Sequence, residues 1–279
     1  KGPYFKLEGG ELVSSSETSF PAVTSDRLAL VGASGLAVFR PVFDALTAMG
    51  FYNLNPKLIR DLQKPQDGRL LKPAGENIVS VIGHLMRSQP ERIEIIEEYL
   101  QSVVPSVHGV ERKAIGPMET LEFRQETAGA RAPWRCQANN MSDGTLRALG
   151  ILTALFQGNR DYQPLVVGIE EPETALHPAA ASALREALLR ASENTQVIVT
   201  SHSPDLLDDA SLTPGMLQAV VAEGGATRIA PIDQASRTML EEQLFSAGEL
   251  LRLNQLAPDQ NVLAEQERKQ ADLFGDSSK

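Results

Sequence analysis

The sequence predicts an α/β fold in which a parallel sheet is flanked by helices, preceded by a β-hairpin and helical portion. Leu165–Ile169 and Val197–Val199 are short, continuous apolar runs, as expected for strands that are covered on both faces. Between them Pro178–Ser192 carries Leu184 and Leu188 at helical spacing, and a proline suits the first turn of a helix. Strand, helix and strand within about thirty residues have the size of a βαβ unit, whose strands run parallel.

The N-terminal half predicts a smaller β and helical portion. Glycine pairs favour tight hairpin turns, apolar residues at three- and four-residue spacing favour helices, and clustered proline and glycine favour loops. The predicted elements are a hairpin over Tyr4–Val13 with a turn at Gly9-Gly10, a helix over Leu36–Met49 that Gly50 stops, a strand over Phe51–Leu54, a loop over 60–75, helices over Glu76–Arg87 and Pro90–Val104, a strand over Glu119–Gln125 and a turn over 127–133.

Three regions follow from this pattern. We expect residues 1–137 to form the β and helical portion, 138–231 the α/β lobe and 232–279 a helical tail. A helix predicted over Thr145–Gln157 opens the lobe. In the tail, Met239–Leu253 has an amphipathic pattern and packs either on the core or on a partner surface, and we favour the core.

Composition narrows the class of protein. A chain of 279 residues with 42% apolar residues can bury one large core or two small ones. The net charge of −10 argues against a generally basic protein that coats nucleic acid, although a local basic strip remains open. The single cysteine, Cys136, excludes an intramolecular disulfide and suits a reducing cytoplasm, where we expect the protein to act.

Neither a membrane span nor a signal peptide is predicted. No apolar run approaches the roughly 18 residues that a membrane-spanning helix needs, and the N-terminus lacks the pattern of a signal peptide. The chain starts at Lys1, not at methionine, and directly inside a predicted strand. We therefore expect the gene product to extend upstream.

Two adjacent carboxylates, Glu170 and Glu171, end the first buried strand. At about 5 Å and an effective dielectric constant near 20, such a pair repels by roughly 3 kcal/mol. A divalent cation or a raised pKa relieves that cost. One carboxylate could hold Mg²⁺ while the next polarises an attacking water. The alternative is that acidic residues merely end a strand in solvent, which Pro172 and the following Ala-Leu-His-Pro turn disfavour.

His202 follows the second apolar strand between Ser201 and Ser203. A histidine at the carboxyl end of a parallel strand can donate to a phosphate group or to an attacking water. By itself, the position equally suits an ordinary surface histidine at a capped strand end. His84 and His108 lack such a setting, and we interpret both as structural.

Ser142-Asp143-Gly144 precedes the predicted helix over Thr145–Gln157. Ser142 or Asp143 is a natural N-cap, and Gly144 permits close backbone approach. The N-terminus of this helix could therefore bind an anion such as phosphate. The simpler alternative is a well-capped helix start without a ligand. The phosphate-loop pattern G-x-x-x-x-G-K-[ST] occurs nowhere in the 279 residues.

Taken together, these segments resemble the C-terminal half of an ABC-type ATPase head, a P-loop NTPase lobe of the RecF-like and SMC-like branch of the AAA-family ATPases, which includes OLD-like ATPase domains. Met141–Thr145 resembles the signature motif, Leu165–Glu171 resembles Walker B, Ala175–Pro178 resembles the D-loop and His202 resembles the switch histidine. These motifs span about sixty residues, and the resemblance is specific because all of them occur together. Walker A and the glutamine loop have no counterpart.

The resemblance implies a role for each motif residue. It assigns Glu170 to Mg²⁺, Glu171 to the catalytic base, and His202 to the catalytic switch. It assigns nucleotide contacts to Ser142, Asp143, Gly144 and His177. In such ATPases the signature segment closes over ATP held by the other subunit, which implies a head-to-tail homodimer with ATP sandwiched between its subunits.

Three functions fit this resemblance. The first is an ATPase that couples ATP to DNA binding or processing, in DNA repair or phage defence. The second is a regulatory ATPase that holds and releases a separate effector protein such as a nuclease. The third is a scaffold that no longer uses ATP, which the retained Glu171 and His202 disfavour. Without a phosphate loop, the fragment alone is expected to be inactive, whereas the complete protein is expected to hydrolyse ATP.

Overall fold

The computed structural model describes residues 2–126, 132–158, 163–223 and 225–274. The predicted turn over 127–133 lies largely outside these residues. The chain divides into two compact units, the first formed by Lys1–Pro172 with Ala187–Val199 and the second by Glu173–Glu186 with Thr200–Lys279. The boundaries predicted after residues 137 and 231 stay a prediction.

The described chain contains the following strands and helices. The strands are β1 (Phe5–Glu8), β2 (Glu11–Ser15), β3 (Met49–Tyr52), β4 (Val107–Ile115), β5 (Met118–Gln125), β6 (Trp134–Gln137), β7 (Val166–Glu170), β8 (Gln196–Thr200), β9 (Gln218–Glu223) and β10 (Ala226–Pro231). The helices are α1 (Ala29–Ala33), α2 (Arg40–Thr47), α3 (Pro56–Arg60), α4 (Ile78–Ser88), α5 (Pro90–Val103), α6 (Asp143–Phe156), α7 (Ala181–Ser192), α8 (Pro204–Leu207), α9 (Gln234–Glu241), α10 (Ala247–Arg252) and α11 (Gln260–Phe274). None of the described helices is both long and apolar enough to span a membrane.

A three-stranded sheet in the order β3-β7-β8 confirms the predicted α/β class. β3 and β7 run parallel, with Met49 opposite Val166. β7 is buried from Val166 to Ile169, as its continuous apolar run predicts. The expectation that β8 is covered on both faces is wrong, because its residues alternate between exposed and half-buried and Ile198 is 47% exposed.

The structure confirms several predicted elements, namely the hairpin of β1 and β2, helices α4 and α5, and strand β5. The helix predicted over Leu36–Met49 is shorter than expected. It is α2, which ends at Thr47. Gly50 does not stop a helix but lies within β3, because Met49 and Gly50 pair with β7 instead of continuing the helical hydrogen bonds. The predicted apolar side of this helix is substantially exposed, at Val38, Val42, Leu46 and Met49.

An antiparallel sheet, β4-β5-β6, contains two strands that the sequence did not predict. Three consecutive charged residues, 111–113, hide the strand pattern of β4. In the folded unit these charges are paired across the sheet, Arg112 with Glu119 and Lys113 with Glu122. Both glutamates are buried, and buried charges are tolerated when they are paired. The charged residues of β4 therefore belong to a strand, although in the sequence they look like loop residues.

Helix α6 forms the centre of the first unit. From Leu146 to Phe156 every residue except Arg147 is buried, as expected for a helix that packs on all sides. It contacts α3, α4, α5, β3 and β7. A Cβ atom on Gly150 would lie 2.8 Å from Leu54 Cδ1, so glycine permits this close packing against the loop after β3. Phe156 stacks on Tyr99 with ring centroids 5.7 Å apart.

Tyr52 ends β3 inside this core. Its side chain is 4% exposed, and its hydroxyl oxygen accepts a hydrogen bond from Gln157 Nε2 at 2.7 Å. Burial raises the pKa of Tyr52 to about 12. In the unfolded chain the hydroxyl ionises near pH 10. The unfolded state therefore loses this proton at a lower pH than the folded state, so the free energy of unfolding falls as the pH rises from about 10 to 12.

We expect Tyr52→Phe to lower the free energy of unfolding by about 1 kcal/mol at pH 8, the usual value of one hydrogen bond. The variant should also lose stability less steeply than the native chain between pH 8 and pH 11, because its side chain does not ionise. Urea unfolding at both pH values measures the two effects. Equal losses in the two proteins would contradict the assignment of this pH dependence to Tyr52.

The second unit contains the hairpin of β9 and β10, and helix α11 contacts β10. The helix predicted over Met239–Leu253 is instead two helices, α9 and α10. Gln243 has a φ of 54°, which ends the helical path, and Ser246 forms a capping box with Glu249 that starts α10. α10 packs against α8 and buries Leu250 completely. The expected packing of the tail on a core is thus observed for α10 within this unit.

Candidate functional site

The carboxyl end of β7 carries the two predicted acidic residues. Glu170 is the last residue of the strand and is exposed, whereas Glu171 is half-buried. Glu171 has a φ of 42°, in the left-handed region that residues other than glycine rarely adopt. Such a conformation costs on the order of 1–3 kcal/mol and persists only where surrounding contacts hold it. The chain therefore turns sharply at Glu171, directly before Pro172.

Arg147 of α6 supplies those contacts. Its Nη2 donates to the carbonyl oxygens of Glu170 and Glu171 at 3.0 and 3.1 Å. Its Nη1 donates to the carbonyl oxygen of Leu54 at 2.9 Å. A planar guanidinium can serve several acceptors in a fixed geometry. One side chain thus joins the ends of β3 and β7 and fixes the turn that carries the two carboxylates.

Asn53, directly after β3, orients the Glu170 side chain. Its Nδ2 donates to Glu170 Oε2 at 2.9 Å. The parallel pairing of β3 and β7 brings these residues together, because Tyr52 lies opposite Ile169. The amide holds one carboxylate oxygen and leaves the other for a ligand. This arrangement resembles the outer hydrogen bonds that orient metal-binding carboxylates.

The start of α6 holds the predicted signature residues. Ser142 is the N-cap, and its Oγ accepts from the Thr145 backbone N–H at 3.1 Å. Asp143 is therefore the first helical residue and not the cap. Its carboxylate forms an ion pair of 2.5 Å with Arg60, which also donates to the carbonyl oxygen of Met141 at 3.0 Å. This pairing compensates a negative charge that would otherwise oppose an anion at the helix start.

His177 lies in the second unit, where it starts a short 3₁₀ turn over Pro178–Ala180. Its Nδ1 accepts from the Ala179 backbone N–H at 3.1 Å. This bond requires the proton of a neutral imidazole to be on Nε2. His177 therefore caps a turn, and its assignment to nucleotide binding stays a prediction.

His202 is exposed and follows the end of β8 by two residues. Neighbouring Ser201 donates from Oγ to Glu173 Oε1 at 2.6 Å and accepts from the Ser203 backbone N–H at 3.0 Å. The hydroxyl of Ser201 is thus engaged in hydrogen bonds within the protein. Glu173 Oε2 is buried without a partner in the described part of the second unit.

The donor set fits Mg²⁺ only as part of a larger site. Mg²⁺ is usually bound by one or two carboxylates together with substrate phosphates and water, and Glu170 provides such a carboxylate. The described ranges contain no cluster of three or more His, Cys, Asp or Glu side chains that could hold a metal ion by themselves. The sequence contains no phosphate-loop pattern. The described part of the chain therefore offers two adjacent carboxylates at the end of β7, but not a complete nucleotide site.

Sequence reasoning missed the residues that position the predicted ones, namely Asn53, Arg60, Arg147 and Glu173. The bond between Asn53 and Glu170 joins residues 117 positions apart, and no local pattern indicates such a pair. Arg147 gives one signal, because it is the single charged residue in an otherwise apolar stretch from Leu146 to Phe156. A buried helix retains a charge when that charge has a partner.

The chain is similar to one known protein family. Residues 86–208 match the family model described as "AAA domain, putative AbiEii toxin, Type IV TA system". This range contains the signature-like segment, the strand end at Glu170 and His202. A search among curated proteins found no significant match.

Solved structures of SMC ATPase heads are also similar. One comes from work on ATP-driven dimerization and DNA-stimulated activation of SMC ATPases, with 14% identity and a TM-score of 0.40 over 58% of this chain and 95% of that chain. The SMC head domain of Thermotoga maritima has 16% identity and a TM-score of 0.34 over 56% and 52%. An SMC head bound to the C-terminal winged-helix domain of ScpA has 13% identity and a TM-score of 0.44 over 66% and 54%.

The chain spans only about half the length of the last two structures, and we infer no function from likenesses of this degree. The family match is independent of them and coincides with the three motifs. Over residues 86–208, a little under half of the chain, the sequence is therefore similar to this AAA-domain family.

Proposed function

We propose that the chain provides the Walker B and signature portion of an ATPase that works as a head-to-tail homodimer. The observation that carries this proposal is the pair Glu170 and Glu171 at the end of β7, held by Asn53 and Arg147. Glu170 would hold Mg²⁺, and Glu171 would accept a proton from the attacking water. When bound, Mg²⁺ would neutralise charge on the phosphates.

The start of α6 supports a role toward the nucleotide of a second subunit. Ser142 caps α6 and Gly144 lies in its first turn, where backbone N–H groups favour an anion. Arg60 compensates the charge of Asp143. In the second unit, we propose separately that His202 donates to a nucleotide phosphate and that His177 shapes a nucleotide-contacting turn. The phosphate loop would come from polypeptide outside these 279 residues, so this chain alone would not hydrolyse ATP.

For the biological role, we propose coupling of ATP to DNA binding or processing in the cytoplasm, in DNA repair or phage defence. The second candidate is a regulatory ATPase that controls a separate effector. The match to a family described as a putative toxin of a toxin–antitoxin system favours this candidate. Steady-state Mg-ATP hydrolysis by the complete protein, with and without duplex DNA, tests both. Stimulation by DNA would support the first candidate. A DNA-independent rate that changes with a co-purified partner would support the second, and no hydrolysis would refute the ATPase proposal.

Asn53→Ala should weaken the response of the complete ATPase to Mg²⁺. The variant loses the bond that orients Glu170, and outer-shell changes of this kind typically weaken metal affinity about tenfold or more. We expect the Mg²⁺ concentration for half-maximal hydrolysis to rise about tenfold, with little loss of stability because Asn53 is exposed. Asn194→Ala, an exposed asparagine of the same unit, is the matched control. An unchanged Mg²⁺ dependence in Asn53→Ala would contradict the role of this amide.

A further inference from the structure

The first unit contains a small cavity away from the carboxyl end of β7. It has a volume of about 170 Å³ and lies between the loop over 65–68, helix α4 and strand β4. Its polar lining is formed by Gln66, Ser80, His84, Arg87 and Arg112. Pockets for whole small molecules usually measure about 300–1,000 Å³. This cavity therefore suits one charged group and not a complete nucleotide.

Close backbone packing fixes the walls of the cavity. A Cβ atom on Gly68 would lie 2.2 Å from the carbonyl oxygen of Ser80, and one on Gly83 would lie 2.5 Å from Arg112 Cδ. Glycine at both positions lets the loop and the arginine side chain lie directly on α4. The cavity is therefore part of the packed unit.

A buried carboxylate holds Arg112 in place. Glu119 has a side chain that is 1% exposed and accepts hydrogen bonds from Ser80 Oγ and, at 2.5 Å, from Arg112 Nε. This pair compensates one positive charge. The Arg112 bond uses Nε, so both Nη groups are left for another acceptor.

Two further groups in the lining have no partner among the residues that the structure describes. His84 Nε2 is buried and makes no hydrogen bond within the described part of the chain. Arg87, three residues later on α4, is exposed and forms no ion pair with any described residue. Residues three apart on a helix lie on the same face. The negative charge of Glu119 cancels the positive charge of Arg112. Arg87 therefore leaves the cavity with one net positive charge even when His84 is neutral.

We propose that this cavity binds a phosphate group. Arg87 and the Nη groups of Arg112 would supply charge-assisted hydrogen bonds, and His84 Nε2 would donate one more. Such a group could belong to a free phosphate compound or to the backbone of duplex DNA, since both present the same oxygens. The sequence suggested a structural role for His84, and this proposal replaces that interpretation. It does not depend on ATP hydrolysis.

The test uses the 279-residue chain and inorganic phosphate as the probe. Isothermal titration at constant ionic strength measures phosphate affinity for the native chain and for Arg87→Gln, His84→Gln and Arg92→Gln. We expect Arg87→Gln to weaken binding about tenfold and His84→Gln about threefold, as for loss of one charged and one neutral hydrogen bond. Arg92→Gln, on neighbouring α5 and outside the cavity lining, should bind like the native chain.

A second arm identifies the source of the phosphate. A short duplex DNA is titrated by fluorescence anisotropy with each protein, with and without inorganic phosphate. Competition by phosphate, together with a loss of DNA affinity in Arg87→Gln and His84→Gln but not in Arg92→Gln, would assign the site to a DNA backbone. Phosphate binding without competition by DNA would assign it to a free phosphate compound. Absence of phosphate binding, or equal binding by Arg87→Gln and Arg92→Gln, would overturn the proposal.

Discussion

Glu171→Gln is expected to lower ATP hydrolysis at least about 100-fold, the usual contribution of a general base, when the phosphate loop is present. ATP binding should persist, because glutamine keeps the size and the hydrogen-bonding capacity of the side chain. We also expect the ATP-bound dimer to accumulate, since hydrolysis would no longer release it. The variant thus separates the binding of ATP from its consumption.

The assignment of Glu171 as the base comes from the resemblance and is a proposal, and the structure gives Glu171 and Glu170 different surroundings. Its φ of 42° turns the chain just after the strand end, and Arg147 holds the carbonyl oxygen in that turn. Glu170 is differently placed, with one carboxylate oxygen bonded to Asn53. The two adjacent carboxylates therefore have different surroundings, as the proposed division of roles between them requires.

Single-turnover hydrolysis and light scattering with ATP measure the two effects of Glu171→Gln. Glu193→Gln, at an exposed position after α7 in the same unit, is the control and should hydrolyse ATP at the native rate. If Glu171→Gln turned over ATP like this control, the base would have to be another group. If it neither bound ATP nor dimerised, the proposal of a sandwiched nucleotide would fail as well.

Much of the first unit could be predicted from the sequence because its strands and helices each show a recognisable pattern of apolar residues. The apolar run of β7 and the helical spacing of α4, α5 and α6 are local signals, and all four are present. β4 escaped prediction because Arg112 and Lys113 look like loop residues until their partners on β5 are known. Local pattern carries no information about such pairing across strands.

The candidate site likewise contains residues that could be predicted from the sequence and residues that could not. Glu170 and Glu171 could be selected because each ends or follows a buried strand, which is a property of adjacent residues. Asn53 could not, because its relation to Glu170 exists only through the pairing of β3 with β7. Arg147 was visible only as a charge in an apolar helix. Residues that carry chemistry are thus more predictable here than the residues that position them.

Arg147→Met is expected to lower the free energy of unfolding by roughly 3 kcal/mol, because charge-assisted hydrogen bonds contribute about 1.5–3 kcal/mol each and do not add fully. Methionine keeps the apolar stem but leaves the carbonyl oxygens of Leu54, Glu170 and Glu171 without this donor. Arg147→Lys should recover only part of the loss, since an ammonium lacks the planar, two-pronged geometry that reaches both strands.

Urea unfolding of the 279-residue chain measures these losses against Arg40→Met, which breaks an exposed pair of 2.8 Å with Asp44. That control should cost only about 0.3–0.5 kcal/mol, the usual value of an exposed helical ion pair. Because the left-handed turn at Glu171 depends on the same guanidinium, Arg147→Lys in the complete protein should lose hydrolysis more than its residual stability explains. Equal stability of Arg147→Met and Arg40→Met would show that the strand ends hold themselves, and the positioning role of Arg147 would then be wrong.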